Sequence, residues 1–219
     1  VTTKEVDEYA RELIAERGCT SAFLGYRNFP GNICISVNEE VVHGIGGPRK
    51  VKYGDILKID VGIVKDGWVG DNALTVPVGT VSPEVQRLLL ATEESLHVAI
   101  SHAVHGEMLG DLCHSIEDYV VKRGYTVVRE FVGHGVGRKL HEAPQVPNYG
   151  KKGEKPRLRE GMILAIEPMV NEGTARVKVL SDKWTVVTMD RKPSAHFEHT
   201  VLVRKGEAEI LTPRPRLTF

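Results

Sequence analysis

The chain has 219 residues and a formal net charge of zero, because its 29 lysine and arginine residues equal its 29 aspartate and glutamate residues. This balance excludes a global basic field that would attract nucleic acid, and neither a run of about 18 apolar residues nor a signal peptide indicates a membrane or secretory route. We therefore expect a cytoplasmic protein with no specific DNA binding, folded as one domain over residues 1–219.

Three helices are predicted from capping residues and apolar periodicity. The first follows a capping-box pattern at residues 2–5 and extends to about Gly18. The second begins at Ser82-Pro83 and carries an apolar stripe up to Gly106, and the third spans roughly residues 111–123. Three histidines on the second helix and at its end are expected on the surface: His97, His102 and His105.

A β-hairpin is predicted over residues 56–76. Two β-branched-rich runs flank Asp66-Gly67, and Asp-Gly between such runs is a strong hairpin signal. The turn can centre between Lys65 and Asp66 or between Asp66 and Gly67. In either case the hairpin brings Asp60 and Asp71 to the same face of the sheet, where they lie directly opposite or diagonal to each other. Facing like charges destabilise a sheet, so a cation is expected between these two carboxylates. The alternative, a solvated face, fits poorly with Ile56, Gly62 and Val64 on the same side.

The second half of the chain repeats this pattern. Residues 53–60 and 159–167 are each a turn followed by an apolar strand that ends on a carboxylate, Asp60 or Glu167. Each half then adds an acid from a later strand, Asp71 or Glu198. We interpret this as a weak internal duplication in which each half contributes a carboxylate pair to one centre.

A histidine in a glycine-rich segment completes the donor set. His134 lies between Gly133 and Gly135, in a segment predicted to be a loop with close backbone approach. Four buried acids would be unstable together without cations, whereas two divalent ions cancel their charge and activate a water. The oxygen-rich set favours Mn, Fe(II) or Co(II) and permits Zn. The candidate ligands are Asp60, Asp71, His134, Glu167 and Glu198.

Several segments resemble type I methionine aminopeptidases in order and spacing, over about residues 3–212. They are VVHGIG, KIDVGIVKDGWVGD, GHGVGRKLHEAPQVPNYG, AIEPMVNEG, KWTVVTMD and FEHTVLV. The resemblance implies the α+β pita-bread aminopeptidase fold, a curved antiparallel sheet in two pseudo-symmetric halves backed by helices. It also implies dinuclear metal-dependent removal of the N-terminal methionine from nascent polypeptides. Family members normally carry a further N-terminal helix, which we expect to be missing here.

The resemblance assigns roles to individual residues. It implies that the five candidate ligands hold two metals, with Asp71 and Glu198 bridging both. Glu167 is expected to be the acid/base partner of the attacking water. His43 and His141 match non-ligand histidines that contact the substrate and stabilise the tetrahedral intermediate. With these two histidines, the substrate pocket is expected to include Tyr26, Phe29, Trp184, Phe23, Val42 and Leu140.

Two other functions remain as alternatives: a proline-directed aminopeptidase or dipeptidase of the same fold, and a metal-free binding protein that reuses the fold. The former normally brings a separate N-terminal domain, and the latter should have lost ligands. Two basic stretches, residues 151–157 and 213–216, are expected to be a solvated loop and a frayed tail. A contact with ribosomal RNA is the alternative interpretation of these stretches, and a monomer is expected.

Overall fold

A computed structural model describes residues 1–218 as an α+β protein with antiparallel sheets, as the sequence predicted. The described residues form three α-helices, one short 3₁₀ helix over Tyr26–Asn28 and fourteen strands. The helices are α1 Thr3–Glu16, α2 Pro83–Ser101 and α3 Leu109–Val121. The strands are β1 Thr20–Ser21, β2 Cys34–Val37, β3 Ile56–Lys65, β4 Trp68–Pro77, β5 Thr126–Val127, β6 Gly133–Gly135, β7 Glu142–Val146, β8 Ile163–Ile166, β9 Met169–Asn171, β10 Val177–Val179, β11 Val186–Thr188, β12 Ser194–His196, β13 His199–Leu202 and β14 Glu209–Ile210.

Strands β3 and β4 form the predicted hairpin. Asp66 and Gly67 make its two-residue turn with φ of 51° and 74°, the positive values that a type I′ turn requires. The register places Asp60 opposite Ala73 and Asp71 opposite Gly62. Asp60 and Asp71 are therefore diagonal neighbours on one face, which confirms the prediction.

The other face of β3 builds a core with helix α1. The apolar side chains of β3 that alternate with Asp60 pack in one cluster with Ile14 of α1 and Ile35 of β2. The predicted capping box is present, since the Thr2 hydroxyl accepts from the Glu5 N–H and the Glu5 carboxylate accepts from the Thr2 N–H. Packing on one face leaves the Asp60 face turned toward the second half of the chain.

The second half supplies a five-stranded sheet in the order β14-β13-β8-β6-β7. Strands β8 and β13 pair with Ile166 opposite His199, so Glu167 and Glu198 occupy the next positions of the two strands. His134 lies within strand β6, so the prediction of a loop was wrong. A Cβ at Gly133 would lie 2.4 Å from the Ala165 carbonyl oxygen, which explains the glycine as a site of close backbone approach.

Hydrogen bonds join the two halves along β4. The Thr200 hydroxyl accepts from the Asp71 N–H and donates to the Asp71 carbonyl, while Glu198 N–H donates to the Ala73 carbonyl at 2.8 Å. The side chain of Lys58 is almost fully buried, and its Nζ donates to the carbonyls of Asn38 at 2.6 Å and Ser194 at 2.8 Å. These contacts fix the relative position of the two carboxylate pairs.

Helices α2 and α3 pack in the largest apolar cluster against strands of the second half, chiefly those of a three-stranded sheet in the order β12-β9-β5. Helix α2 ends at Ser101, not near Gly106 as predicted, although Ala103 is fully buried beyond the helix. The N–H groups of His102 and Ala103 donate to carbonyls only three residues back, so the chain leaves the helix there. No helix among residues 1–218 is long and apolar enough to cross a membrane.

Two surface predictions were wrong and one was confirmed. His97 is only partly exposed, with its ring 6.0 Å from that of His199. The basic tail is not frayed at Arg214, whose guanidinium pairs with the buried carboxylate of Glu93 at 2.7 Å. Residues 151–157 form an exposed loop as expected. The three cysteines are unpaired and buried.

Candidate metal centre

All five predicted ligands line one pocket of about 240 Å³ between the two halves. One ligand atom from each of Asp71, His134 and Glu198 lies within 4.8 Å of the others. His134 Nε2 is 3.6 Å from Glu167 Oε1 and 3.8 Å from Asp71 Oδ2. Asp60 lines the same pocket beside Asp71. The structure thus brings together donors that are far apart in the sequence.

Burial, and for three of the four also repulsion between neighbours, disfavours ionisation of these carboxylates. Burial raises the pKa of Asp71 to about 7. Burial, together with the neighbouring carboxylates, raises the pKa values of Asp60, Glu167 and Glu198 well above their ordinary range. Within residues 1–218 none of the four pairs with a lysine or arginine, and one buried oxygen each of Asp60, Asp71 and Glu198 has no hydrogen-bond partner. Such a donor set fits divalent cations, which would neutralise the charge and occupy these lone pairs.

His134 is oriented as a ligand by its own strand. Its Nδ1 lies 2.9 Å from the Gly135 carbonyl oxygen, which can only accept, so Nδ1 carries the proton. The unprotonated Nε2 then faces the carboxylates with an available lone pair. Burial lowers the pKa of His134, which favours the neutral ring that metal binding requires.

The two predicted non-ligand histidines line the same pocket. Burial lowers the pKa of His43 to about 4, and its backbone is held at φ 59°, a strained value for a residue with a side chain. Burial, followed by the nearby charges of His134 and Arg27, lowers the pKa of His141 to about 4. His141 Nδ1 lies 2.8 Å from the Tyr26 hydroxyl. Both rings are therefore neutral near pH 7.

An aromatic wall closes one side of the pocket. The ring of Phe29 meets Trp184 edge-on at 5.0 Å and Phe23 edge-on at 6.5 Å, while Tyr26 and Leu140 line the same cavity. The structure thus brings these five predicted substrate-pocket residues together with His43 and His141. Val42 lies elsewhere, buried in a separate apolar cluster with Val41, Val128, Met169 and Val186.

Sequence reasoning missed several residues around the pocket. Cys34, Arg27 and Phe131 line it, and His196 Nε2 approaches Glu167 Oε2 at 3.4 Å. No simple alternation could have indicated His196, because it ends strand β12 whereas Glu198 lies in the connection to β13. Cys34 pairs with Asp60 across β2 and β3, a register that the sequence alone does not give.

Comparison with known proteins defines the class to which this fold and donor set belong. The model of metallopeptidase family M24 matches residues 1–205. The chain therefore belongs to metallopeptidase family M24.

Within that family, similar relatives that align with nearly the whole chain include methionine aminopeptidases. Methionine aminopeptidase 1 of Bacillus subtilis (strain 168) is 51% identical over 212 residues, covering 97% of this chain and 86% of the relative. The crystal structure of methionine aminopeptidase from Thermotoga maritima is 46% identical with a TM-score of 0.95, covering 97% and 86% of the two chains. A prolidase from Pyrococcus horikoshii OT3 shares the fold at 22% identity, with a TM-score of 0.77 and 99% and 55% coverage. These neighbours confirm the pita-bread fold.

Proposed function

We propose that this chain is a metal-dependent methionine aminopeptidase that hydrolyses the first peptide bond of polypeptides beginning with methionine. The observation that carries the proposal is the convergence of four buried carboxylates and one imidazole beside an aromatic-walled pocket. The names of the relatives support the substrate, and the family supports metal dependence. Nascent polypeptide N-termini are the proposed substrates, acted on in the cytoplasm by a monomer.

The proposed cofactor is a pair of divalent ions, Co, Mn, Fe(II) or Zn, held by Asp60, Asp71, His134, Glu167 and Glu198. Bound there, divalent ions would supply Lewis acidity that lowers the pKa of water and polarises a carbonyl. The protein contributes the fixed positions of its ligands. His134 presents Nε2 because Nδ1 is committed to the Gly135 carbonyl, and Asp71 is held through its backbone by Thr200.

Proton transfer is assigned to Glu167. Its carboxylate is buried in the pocket beside the other proposed ligands, with Oε1 3.6 Å from His134 Nε2, and a carboxylate held in this way can accept and then donate a proton. In the proposed mechanism Glu167 takes a proton from the attacking water and returns it to the leaving amine. His196, 3.4 Å away, would steady the carboxylate during both transfers.

Neutral histidines are proposed to stabilise the oxyanion. If the Tyr26 hydroxyl donates to His141 Nδ1, the Nε2–H of His141 is left as a donor toward the pocket. His43 presents its neutral ring beside Phe131 and Trp184. Preorganised donors of this kind typically contribute about 10²–10³ in rate. The methionine side chain would occupy the space walled by Phe23, Phe29 and Trp184.

The proposal is tested by loading purified protein with each metal, measuring metal per chain, and assaying Met-Ala-Ser against Xaa-Pro peptides. We expect bound metal and cleavage of Met-Ala-Ser only. Cleavage of Xaa-Pro peptides would instead support a prolidase-like activity. A protein that binds no metal would support the metal-free binding function.

Glu167→Gln tests the proton-transfer role. We expect kcat to fall by at least about 10²-fold, because general acid–base catalysis contributes about 10²–10⁴. Metal content must be measured in parallel, since Glu167 is also a proposed ligand. Glu172→Gln, a nearby acid outside the pocket lining, is the matched control. A variant that kept both metals and most of its turnover would remove Glu167 from the mechanism.

A further inference from the structure

A second, shallower cavity opens beside the metal pocket. This outer cleft of about 410 Å³ is lined by Arg27, Asn28, Pro30, Asp182, Lys183 and Trp184, among others. Arg27 and Trp184 line both the outer cleft and the metal pocket, so the two cavities adjoin each other. A peptide whose first side chain filled the aromatic pocket would have the outer cleft beside its following residues.

The outer cleft carries two positive charges with no internal partner. Arg27 and Lys183 are both exposed, and within residues 1–218 neither side chain forms an ion pair or a hydrogen bond. The guanidinium of Arg27 lies over the ring of Tyr26, 5.4 Å from its centroid, which holds the charge at the pocket entrance.

The one carboxylate of the outer cleft does not offset these charges fully. Asp182 Oδ1 accepts from the N–H groups of Trp184 and Thr185 at 2.9 Å, and its Oδ2 accepts from the Thr185 hydroxyl at 2.6 Å. The Asp182 carboxylate is therefore occupied by hydrogen bonds within its own turn. The Lys183 side chain forms no such bond. Residues Arg27, Asn28 and Lys183 all have positive φ, of 48°, 70° and 68°, so tight turns shape both sides of the outer cleft.

We propose that Arg27 and Lys183 form a cationic subsite that favours acidic side chains at the third or fourth position of the peptide substrate. This inference rests on the proposed aminopeptidase function and narrows its substrate class. Exposed ion pairs are weak, so the selectivity is modest: we expect about a three- to tenfold preference for glutamate over glutamine in kcat/KM.

The test compares C-terminally amidated peptides, because a terminal carboxylate would itself bind the cations. Met-Ala-Glu-Gly and Met-Ala-Ser-Glu are each paired with the isosteric glutamine peptide, and kcat/KM is measured for the metal-loaded enzyme. The readout is the Glu/Gln ratio in the wild type, Arg27→Gln, Lys183→Gln and the double variant. Lys178→Gln is the matched control, since Lys178 is an exposed lysine on β10 that does not line the outer cleft.

We expect the ratio to fall toward one in the double variant and to stay unchanged in Lys178→Gln. It should also collapse at about 0.5 M NaCl, where the Debye length is only a few ångströms. A wild-type ratio of one, or a ratio that survives in the double variant, would overturn the subsite. Failure to cleave even the glutamine peptides would instead overturn the proposed function, and the subsite with it.

Discussion

Gly62 lies on β3 beneath the ring of Phe23, where a Cβ would lie 2.3 Å from ring carbon Cε1. Replacing Gly62 with alanine should push Phe23 into the space proposed for methionine. Overpacking of this kind costs about 1–3 kcal/mol, so we expect KM for Met-Ala-Ser to rise about tenfold. Gly70→Ala is the control, because a Cβ there would meet only Ile63 Cγ1 at 4.0 Å. Equal KM values for the two variants would contradict this account of the pocket wall.

At this scale the sequence reveals residues whose chemistry is unusual for their surroundings. Asp60 and Glu167 could be proposed because each is a carboxylate that directly follows a run of apolar residues. Residues that matter through their neighbours could not. Gly62 matters because its missing Cβ leaves room for the ring of Phe23, and Cys34 reaches the pocket only through its pairing with Asp60.

The C-terminal tail is fastened to helix α2 by one buried ion pair. The side chains of Arg214 and Glu93 are only 11% and 4% exposed, and Glu93 also accepts from the Leu217 N–H. Arg214→Ala should therefore lower the free energy of unfolding by about 3 kcal/mol, since it leaves a buried carboxylate unpaired. Urea denaturation measures the loss.

Two further variants distinguish this pair from general effects of the tail. Arg216→Ala removes an arginine whose pair with Glu94 is about half exposed, and should cost less than about 1 kcal/mol. Combining Glu93→Gln with Arg214→Ala should recover part of the stability, because no buried charge remains. If both single arginine variants lost the same amount, the buried pair would not be what secures the tail.

Elements set by local signals were predictable, whereas those set by distant contacts were not. The Asp66-Gly67 turn fixes the register of β3 and β4 by its own conformation. The tail was predicted to be frayed because its partner, Glu93, lies 121 residues earlier in the chain. Similarly, the apolar stripe of α2 continues to Ala103 although the helix ends at Ser101, because burial alone does not require helical backbone.

For the whole molecule, metal removal should lower Tm, and more so at high pH. The carboxyl group of an unfolded aspartate ionises near pH 4, whereas burial raises the pKa of Asp71 to about 7. A carboxyl whose pKa is higher in the folded state contributes stability that is full below the unfolded pKa and is lost as pH rises through the folded pKa. Without metal, stability should therefore fall from about pH 4 to beyond pH 7.

Thermal unfolding with and without a chelator measures this effect. Metal at about 100 times its Kd adds about 2.7 kcal/mol, or roughly 5–10 °C for a chain of this size. The Tm difference between loaded and metal-free protein should be larger at about pH 8 than at about pH 5.5. Glu198→Gln, which removes a proposed ligand, should show little metal-dependent stabilisation. A Tm difference independent of pH would refute the role of carboxylate ionisation.

The contacts that join the halves also decide when the site can exist during synthesis. The β3–β4 hairpin needs only residues 56–77 and can form early, but Glu198 and the Thr200 hydroxyl that braces Asp71 come more than 120 residues later. Likewise, the ammonium group of Lys58 can form its hydrogen bond to the Ser194 carbonyl only after residue 194 has been synthesised. An ion held by both acidic pairs would therefore bind late in synthesis, because the pair from the hairpin is joined by Glu198 only after a further 121 residues beyond Pro77 have been added.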